Sequence, residues 1–176
     1  MKIYVLRHGQ TDGNITGVMQ GNMDTKLNAL GKEQARKAKE ILKEAGIDLV
    51  ICSPKSRTAE TAHLAAPDIP IFYDDRLLSR DHGEFEGLRR DQVNLQDYWD
   101  LNKNVQYEKA ESVKHIVDRV TSLLMDIKKH YSDKTVLLVT HSGITRILYY
   151  YFNGFPEDGN LLGYEAHNGL IEEYEL

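Results

Sequence analysis

Ile3-Tyr4-Val5-Leu6-Arg7-His8-Gly9-Gln10-Thr11 is the stretch on which the fold turns. Four apolar residues rich in β-formers predict a buried strand that ends at a sheet edge, delivering Arg7 and His8 to its carboxyl end. A histidine in that place can serve as a nucleophile with an arginine beside it. An Arg-His-Gly tripeptide alone decides nothing, because a basic pair after a strand is commonplace.

Two distant segments supply partners. Val136-Leu137-Leu138-Val139-Thr140 is a second apolar run and delivers His141-Ser142-Gly143, with Arg146 one turn into the helical pattern that follows. Leu49-Val50-Ile51-Cys52 is a third and delivers Ser53-Pro54-Lys55-Ser56-Arg57. In an open α/β sheet, ligands bind outside the carboxyl ends of the strands, so residues following three strands can meet in one crevice. Two histidines and two arginines are thereby expected around one site.

The formal net charge of the chain is -5, so such a cluster is a local cationic pocket on an acidic protein. That combination predicts a small anionic ligand. It argues against nucleic acid and anionic membrane surfaces, which call for a basic face. Guanidinium forks suit phosphate oxygens. A neutral imidazole can attack phosphorus while cations neutralise the equatorial oxygens, so phosphoryl transfer is the favoured chemistry.

As an ordered set, these residues resemble the histidine phosphatase superfamily, branch 1, the phosphoglycerate mutase-like group that includes cofactor-dependent phosphoglycerate mutases and the fructose-2,6-bisphosphatase domain. The matching positions are Arg7-His8-Gly9-Gln10-Thr11 with Asn14, then Gly21, Asp24, Leu27, Gly31 and Gln34-Ala35. They continue with Ser53-Pro54, Arg57, Ala59-Glu60-Thr61-Ala62, Gly83, Glu86-Gly87, Glu111-Ser112, Arg119 and Thr140-His141-Ser142-Gly143. The resemblance implies that His8 is the phosphorylated nucleophile and that Arg7, Arg57 and His141 form the phosphate pocket. Asn14, Thr11, Ser142 and Gly143 follow as further phosphate contacts. Neither a metal nor another cofactor is implied.

One position departs from the pattern. Four residues before Gly83, where the family places a glutamate that protonates the leaving oxygen, stands Ser79. A serine hydroxyl is far too weak an acid for that role, and Asp81 and Glu84 are the local carboxyl candidates. A general acid contributes roughly 10²–10⁴-fold, so its loss slows turnover without abolishing phosphate binding.

With 176 residues and one cysteine, Cys52, the chain is expected to be one domain over 1–176 without a disulfide. Cys52 is separated from Arg57 by four residues where a cysteine-phosphatase loop needs five, so it reads as a buried apolar residue. No apolar run reaches the ~18 residues of a membrane span, and a cytoplasmic protein is expected. The predicted partner is a small phosphorylated metabolite or inorganic phosphate, with a homodimer left open.

Helical spacing predicts a first helix from Leu30 to Ala45, with Ala35, Ala38, Ile41 and Leu42 on its stripe and Gly46 as its stop. A shorter helix is expected over Ser56 to Ala66, a strand over Ile69 to Tyr73, a long helix over Ser112 to His130 and another over Gly143 to Phe152. Asn168 to Tyr174 reads as a turn and a final strand. Strands alternating with helices imply a three-layer α/β/α sandwich on a mostly parallel sheet. Leu88 to Ala110, polar and aromatic, reads as a small insertion covering the pocket.

The leading function is a metal-independent phosphomonoesterase of the histidine acid phosphatase type, working through a phosphohistidine. The alternatives are a phosphoglycerate mutase, an isomerase that shields the same intermediate from water, and a weakly active phosphate-binding pseudoenzyme marked by Ser79. His63, His82, His115, His130 and His167 read as structural, with His82 set apart by its closeness to the motif.

Overall fold

A computed structural model describes residues 1–176. Strand β1 spans Lys2–Arg7, followed by a short helix α1 (Asp12–Thr16) and the longer α2 (Ala29–Leu42). Strand β2 (Leu49–Cys52), helix α3 (Ser56–Ala65) and strand β3 (Ile71–Tyr73) come next. Helices α4 (Leu95–Tyr98) and α5 (Val113–His130), strand β4 (Val136–Thr140), helix α6 (Ser142–Asn153) and strand β5 (Ile171–Glu175) complete the chain.

The five strands form one sheet in the order β3-β2-β4-β1-β5. All neighbours run parallel except β5, which is antiparallel to β1 at the edge. The three central strands read as unbroken apolar runs because both of their faces are covered. Ile3, Val5, Ile51, Val136 and Leu138 face the core built with α5 and α6. Tyr4, Leu6, Val50, Leu137 and Val139 face the core built with α2 and α3. This is the three-layer sandwich that the alternation of elements implies.

Helix α5 buries Val113, Ile116, Val120, Leu123, Leu124 and Ile127, as its periodicity predicts, while Val117 is only half-buried. Each such apolar side chain contributes about 1.5–3 kcal/mol when removed from water. Ser112 starts the helix by accepting a hydrogen bond from the His115 N–H at 3.3 Å. Helix α2 departs from expectation: Leu30 and Ile41 are exposed, and the buried stripe is Gly31, Ala35, Ala38 and Leu42. Ala38 and Leu42 share a core with Ala62 and Ala65 of α3, and small residues suit this close approach. Strand β3 is shorter than predicted, beginning at Ile71, because Ile69 closes a turn onto Ala66 and Pro70 has no N–H to give the ladder.

The 88–110 segment is rooted as well as covering. Val18 bridges Arg89 and Asp100 bridges Asn160, while Tyr98 and Trp99 are buried in the core under α5 and α6. No helix is long and apolar enough to cross a membrane.

Candidate active site

Sheet register brings the two histidines together. Arg7 of β1 pairs with Thr140 of β4, so the next residue on each strand is the partner of the other across about 4.8 Å. The rings of His8 and His141 accordingly lie 5.3 Å apart, centre to centre, at 65°. On the other side of β4, Cys52 pairs with Val139, which sets Ser53 opposite Thr140 and its hydroxyl within reach of the next residue, His141. Helix α3 then starts and carries Arg57 on its buried face. Gly9 and Gly31 let the loop after β1 meet the start of α2: a Cβ on Gly31 would lie 2.1 Å from the Gln10 carbonyl oxygen, and one on Gly9 2.2 Å from that of Gly31.

Hydrogen bonds assign the protons on both rings. His8 Nδ1 lies 2.7 Å from the Gly9 carbonyl oxygen; a carbonyl only accepts, so Nδ1 carries the hydrogen and Nε2 holds the free lone pair. The Ser53 hydroxyl lies 2.8 Å from His141 Nε2. With that hydroxyl donating, the His141 proton sits on Nδ1, which is buried without a partner in the protein. Arg7 Nη1 donates to the Ala166 carbonyl, and Arg57 donates through Nη1 to Met23 O (2.7 Å) and through Nη2 to Gly21 O (2.9 Å). Nε of both arginines is buried and unpartnered. Buried donors almost always have an acceptor, and Arg7, Arg57 and His141 all line one void, so their unmet donor capacity suits an anion.

Charge in the void is one-sided. Burial pulls the Arg7 and Arg57 guanidinium groups down to about 10. Burial, then Arg57 and Arg7, pushes His8 well below its ordinary range; burial, then Arg57 and His8, does the same to His141. Both imidazoles are therefore neutral, the state a nucleophile needs. The void measures about 100 Å³, room for several waters and so for a tetrahedral oxyanion.

The profile of the histidine phosphatase superfamily (branch 1) matches residues 3–171. The chain belongs to that superfamily. A probable phosphatase of Schizosaccharomyces pombe is 31% identical over 186 residues, spanning 100% of this chain and 87% of that protein. A 2,3-bisphosphoglycerate-dependent phosphoglycerate mutase of Staphylococcus epidermidis is 30% identical over 215 residues, spanning 99% of this chain and 94% of the mutase. Among solved structures, Bacillus stearothermophilus YhfR superposes with a TM-score of 0.88 at 25% identity, covering 99% of this chain and 91% of that one.

In this member of the superfamily, Asn14, Ser142 and Gly143 also line the cavity. Asn14 caps α1 reciprocally with Thr11, its Oδ1 accepting from the Thr11 N–H (2.9 Å) and hydroxyl (3.0 Å). That commits the acceptor end of the amide and leaves Nδ2, the donor end, free for phosphate. Ser142 and Gly143 open α6, whose amino end favours anions. Gly143 has a second reason: a Cβ there would lie 2.9 Å from the Trp99 ring. Thr11, expected as a phosphate contact, is a correction. Its hydroxyl is spent on Asn14 and on Gln20 Oε1 at 2.9 Å, and it stays out of the cavity wall.

Both expected proton donors are likewise displaced. Glu84 is an exposed carboxylate accepting from the N–H groups of Glu108, Lys109 and Ala110; its own backbone N–H first, then those three, hold it below its usual range against the opposing effect of desolvation. Asp81 caps the turn at Gly83, accepting from its N–H at 2.9 Å, and faces a separate groove. Ser79 does stand in the cavity wall. Its loop is held from beneath by Arg119, which pairs with Glu111 through Nε (2.7 Å) and Nη2 (3.0 Å) and donates through Nη1 to Arg76 O (2.6 Å).

Among the wall residues that sequence reasoning left out of the site are His82, Arg90, Arg80, Arg146 and Trp99. Arg80 is buried, donates to Glu111 O (2.8 Å) and Tyr98 O, and lies 3.5 Å over the Tyr98 ring. Arg146 donates to Tyr164 O (2.8 Å) and lies 4.6 Å over Trp99. Their signal was faint, a position directly after Ser79 for the one and one turn after His141 for the other.

Proposed function

We propose that this chain is a phosphomonoesterase of the acid phosphatase type, acting on a small phosphorylated metabolite through a phosphohistidine at His8. The observation that carries this reading is the void lined by His8, Arg7, Arg57 and His141 together, the last three each with a buried nitrogen that has no partner in the protein. In the first half-reaction His8 Nε2 attacks phosphorus and the ester oxygen leaves with the P–O electron pair. In the second, water attacks the same phosphorus and the P–N bond breaks, releasing inorganic phosphate. Donors already aimed at the void stabilise the equatorial oxygens with little reorganisation. The metal-free mechanism follows from these cations, which supply the neutralisation that a metal provides elsewhere. The single thiol, Cys52, is buried, which suits a reducing compartment, and we assign the protein to the cytoplasm.

Acid- and alkali-quench trapping with an activated aryl phosphate tests the proposal. The parent accumulates protein-bound phosphate that is acid-labile and alkali-stable, and His8→Ala accumulates none and loses hydrolysis. Undiminished hydrolysis by His8→Ala refutes it. Mutase activity that depends on a bisphosphoglycerate primer and outruns phosphate release refutes the hydrolytic outcome and favours the isomerase.

A further inference from the structure

The wall of the phosphate cavity contains no carboxylate. The imidazoles in it are those of His8, His141 and His82. His8 is committed as nucleophile, and His141 is committed by Ser53 on one nitrogen and to the anion on the other. His82 is uncommitted.

On the phosphatase reading above, we propose that His82 replaces the missing acid at Ser79, protonating the leaving oxygen in the first half-reaction and taking a proton from the attacking water in the second. The Nε2–H bond breaks as the ester oxygen takes the proton, and the P–O electron pair stays on that oxygen. Neutral His82 then accepts one proton from water while the hydroxide portion bonds to phosphorus and His8 Nε2 recovers the P–N pair. The cycle returns both histidines to their starting states.

Position supports the assignment. His82 Nδ1 lies 2.7 Å from the Tyr98 hydroxyl, which fixes the ring. Nε2 makes no hydrogen bond within the protein and is not sealed from solvent. The Cδ2–Cγ edge of the ring rests on Gly21, where a Cβ would come within 2.9 Å of Cδ2 and 3.3 Å of Cγ. The carbonyl of Gly21 in turn holds Arg57 Nη2 at 2.9 Å, so the imidazole stands next to the phosphate-binding guanidinium. Gly21 has φ +44°, a conformation in which a side chain is strained as well as obstructed.

The surrounding charges set a pH signature. Burial, then Arg80 and Arg57, pulls His82 down to about 4 in the empty cavity, with Glu111 opposing and Arg90 reinforcing the fall. Across Gly21, Glu86 accepts from the Asn22 and Met23 N–H groups. A phosphate dianion beside Arg57 offsets the guanidinium charge and makes protonation easier. Turnover of esters with basic leaving groups therefore climbs as pH falls, while esters that need no acid follow the state of His8 alone.

The test compares His82→Gln, Tyr98→Phe and the parent on two esters, an aryl phosphate with an acidic leaving group and an alkyl phosphate, recording kcat/KM against pH. This parameter stops at loss of the leaving group, so it isolates the protonation step. His82→Gln is expected to lose about 100-fold or more on the alkyl ester and less than about tenfold on the aryl ester; adding Ser79→Glu restores the alkyl activity. Tyr98→Phe is expected to move the pH dependence of the alkyl ester only, and it decides the matter if His82→Gln does not fold. Equal losses on both esters, no loss on the alkyl ester, or an unmoved profile in Tyr98→Phe overturns the role of His82. Those failures leave phosphate trapped on His8, whereas failure of the phosphatase reading itself removes it.

Discussion

Arg57→Met should separate stability from activity. Arg57 gives two charge-assisted hydrogen bonds to carbonyls, a part-buried one to Met23 at 2.7 Å and a buried one to Gly21 at 2.9 Å, and bonds of that kind contribute about 1.5–3 kcal/mol each. Their removal costs about 3–6 kcal/mol. Against this, burial holds the guanidinium well below its usual range, at about 10, which at about 1.36 kcal/mol per tenfold is a penalty of about 3 kcal/mol. Arg57 is charged at neutral pH both folded and unfolded, so that penalty is present in full there, is relieved only above about pH 10, and disappears in Arg57→Met. The balance is a destabilisation of about 0–3 kcal/mol, or a fall in Tm of up to about 10 °C for a chain of this size. Catalysis has no such compensation, because removing a preorganised donor from the reacting anion costs about 10²–10³-fold. Inorganic phosphate at ~100 times its Kd adds about 2.7 kcal/mol to the parent, and the variant should lose most of that shift. Thermal melts with and without phosphate, alongside kcat/KM on an aryl phosphate, read all three quantities. Activity within tenfold of the parent, or an undiminished phosphate shift, refutes the assignment of Arg57 to the anion.

Two further perturbations test the scaffold beneath the site. Glu111→Gln breaks a largely buried pair with Arg119 and should cost about 3 kcal/mol. Burial raises the Glu111 carboxyl, but the Arg119 and His115 bonds overcome it and leave it below its usual 4.5. Its contribution is thus complete above about pH 4.5 and lost as pH falls through the lower folded value; Glu111→Gln should flatten that acid limb in a series of melts. Gly31→Ala places a methyl group 2.1 Å from the Gln10 carbonyl oxygen, and overpacking of this kind costs about 1–3 kcal/mol. The loop carrying His8 must shift to admit it, so kcat/KM should fall together with Tm, and a fully active, fully stable variant would contradict the close approach.

Much of the fold was legible because strands buried on both faces are written as unbroken apolar runs. Val136 to Thr140 is such a run, and its five residues are all buried. The long stripe of α5 was equally plain, since its large apolar residues recur at helical spacing. Helix α2 misled because its contacts are made by alanines and a glycine, which leave Leu30 and Ile41 as decoys on the solvent side. The convergence of Arg7, His8, Arg57 and His141 was legible for a related reason: Arg7 ends a central strand, the two histidines directly follow one and Arg57 comes five residues after another, so parallel register carries them to one cavity.

The sequence by itself determined a parallel sheet with His8, His141, Arg7 and Arg57 at its carboxyl edge, because strand period and position after a strand are local properties of the chain. Only the tertiary structure decided where the carboxyl groups and the remaining wall residues go. Asp81 and Glu84 follow Ser79 closely in the chain, yet backbone N–H groups capture both, one locally and one from residues 108–110. Thr11 turns to cap a helix, and Arg80, His82 and Trp99 turn into the cavity wall. A loop side chain is aimed by partners that arrive from distant segments, and no local pattern records which partner wins.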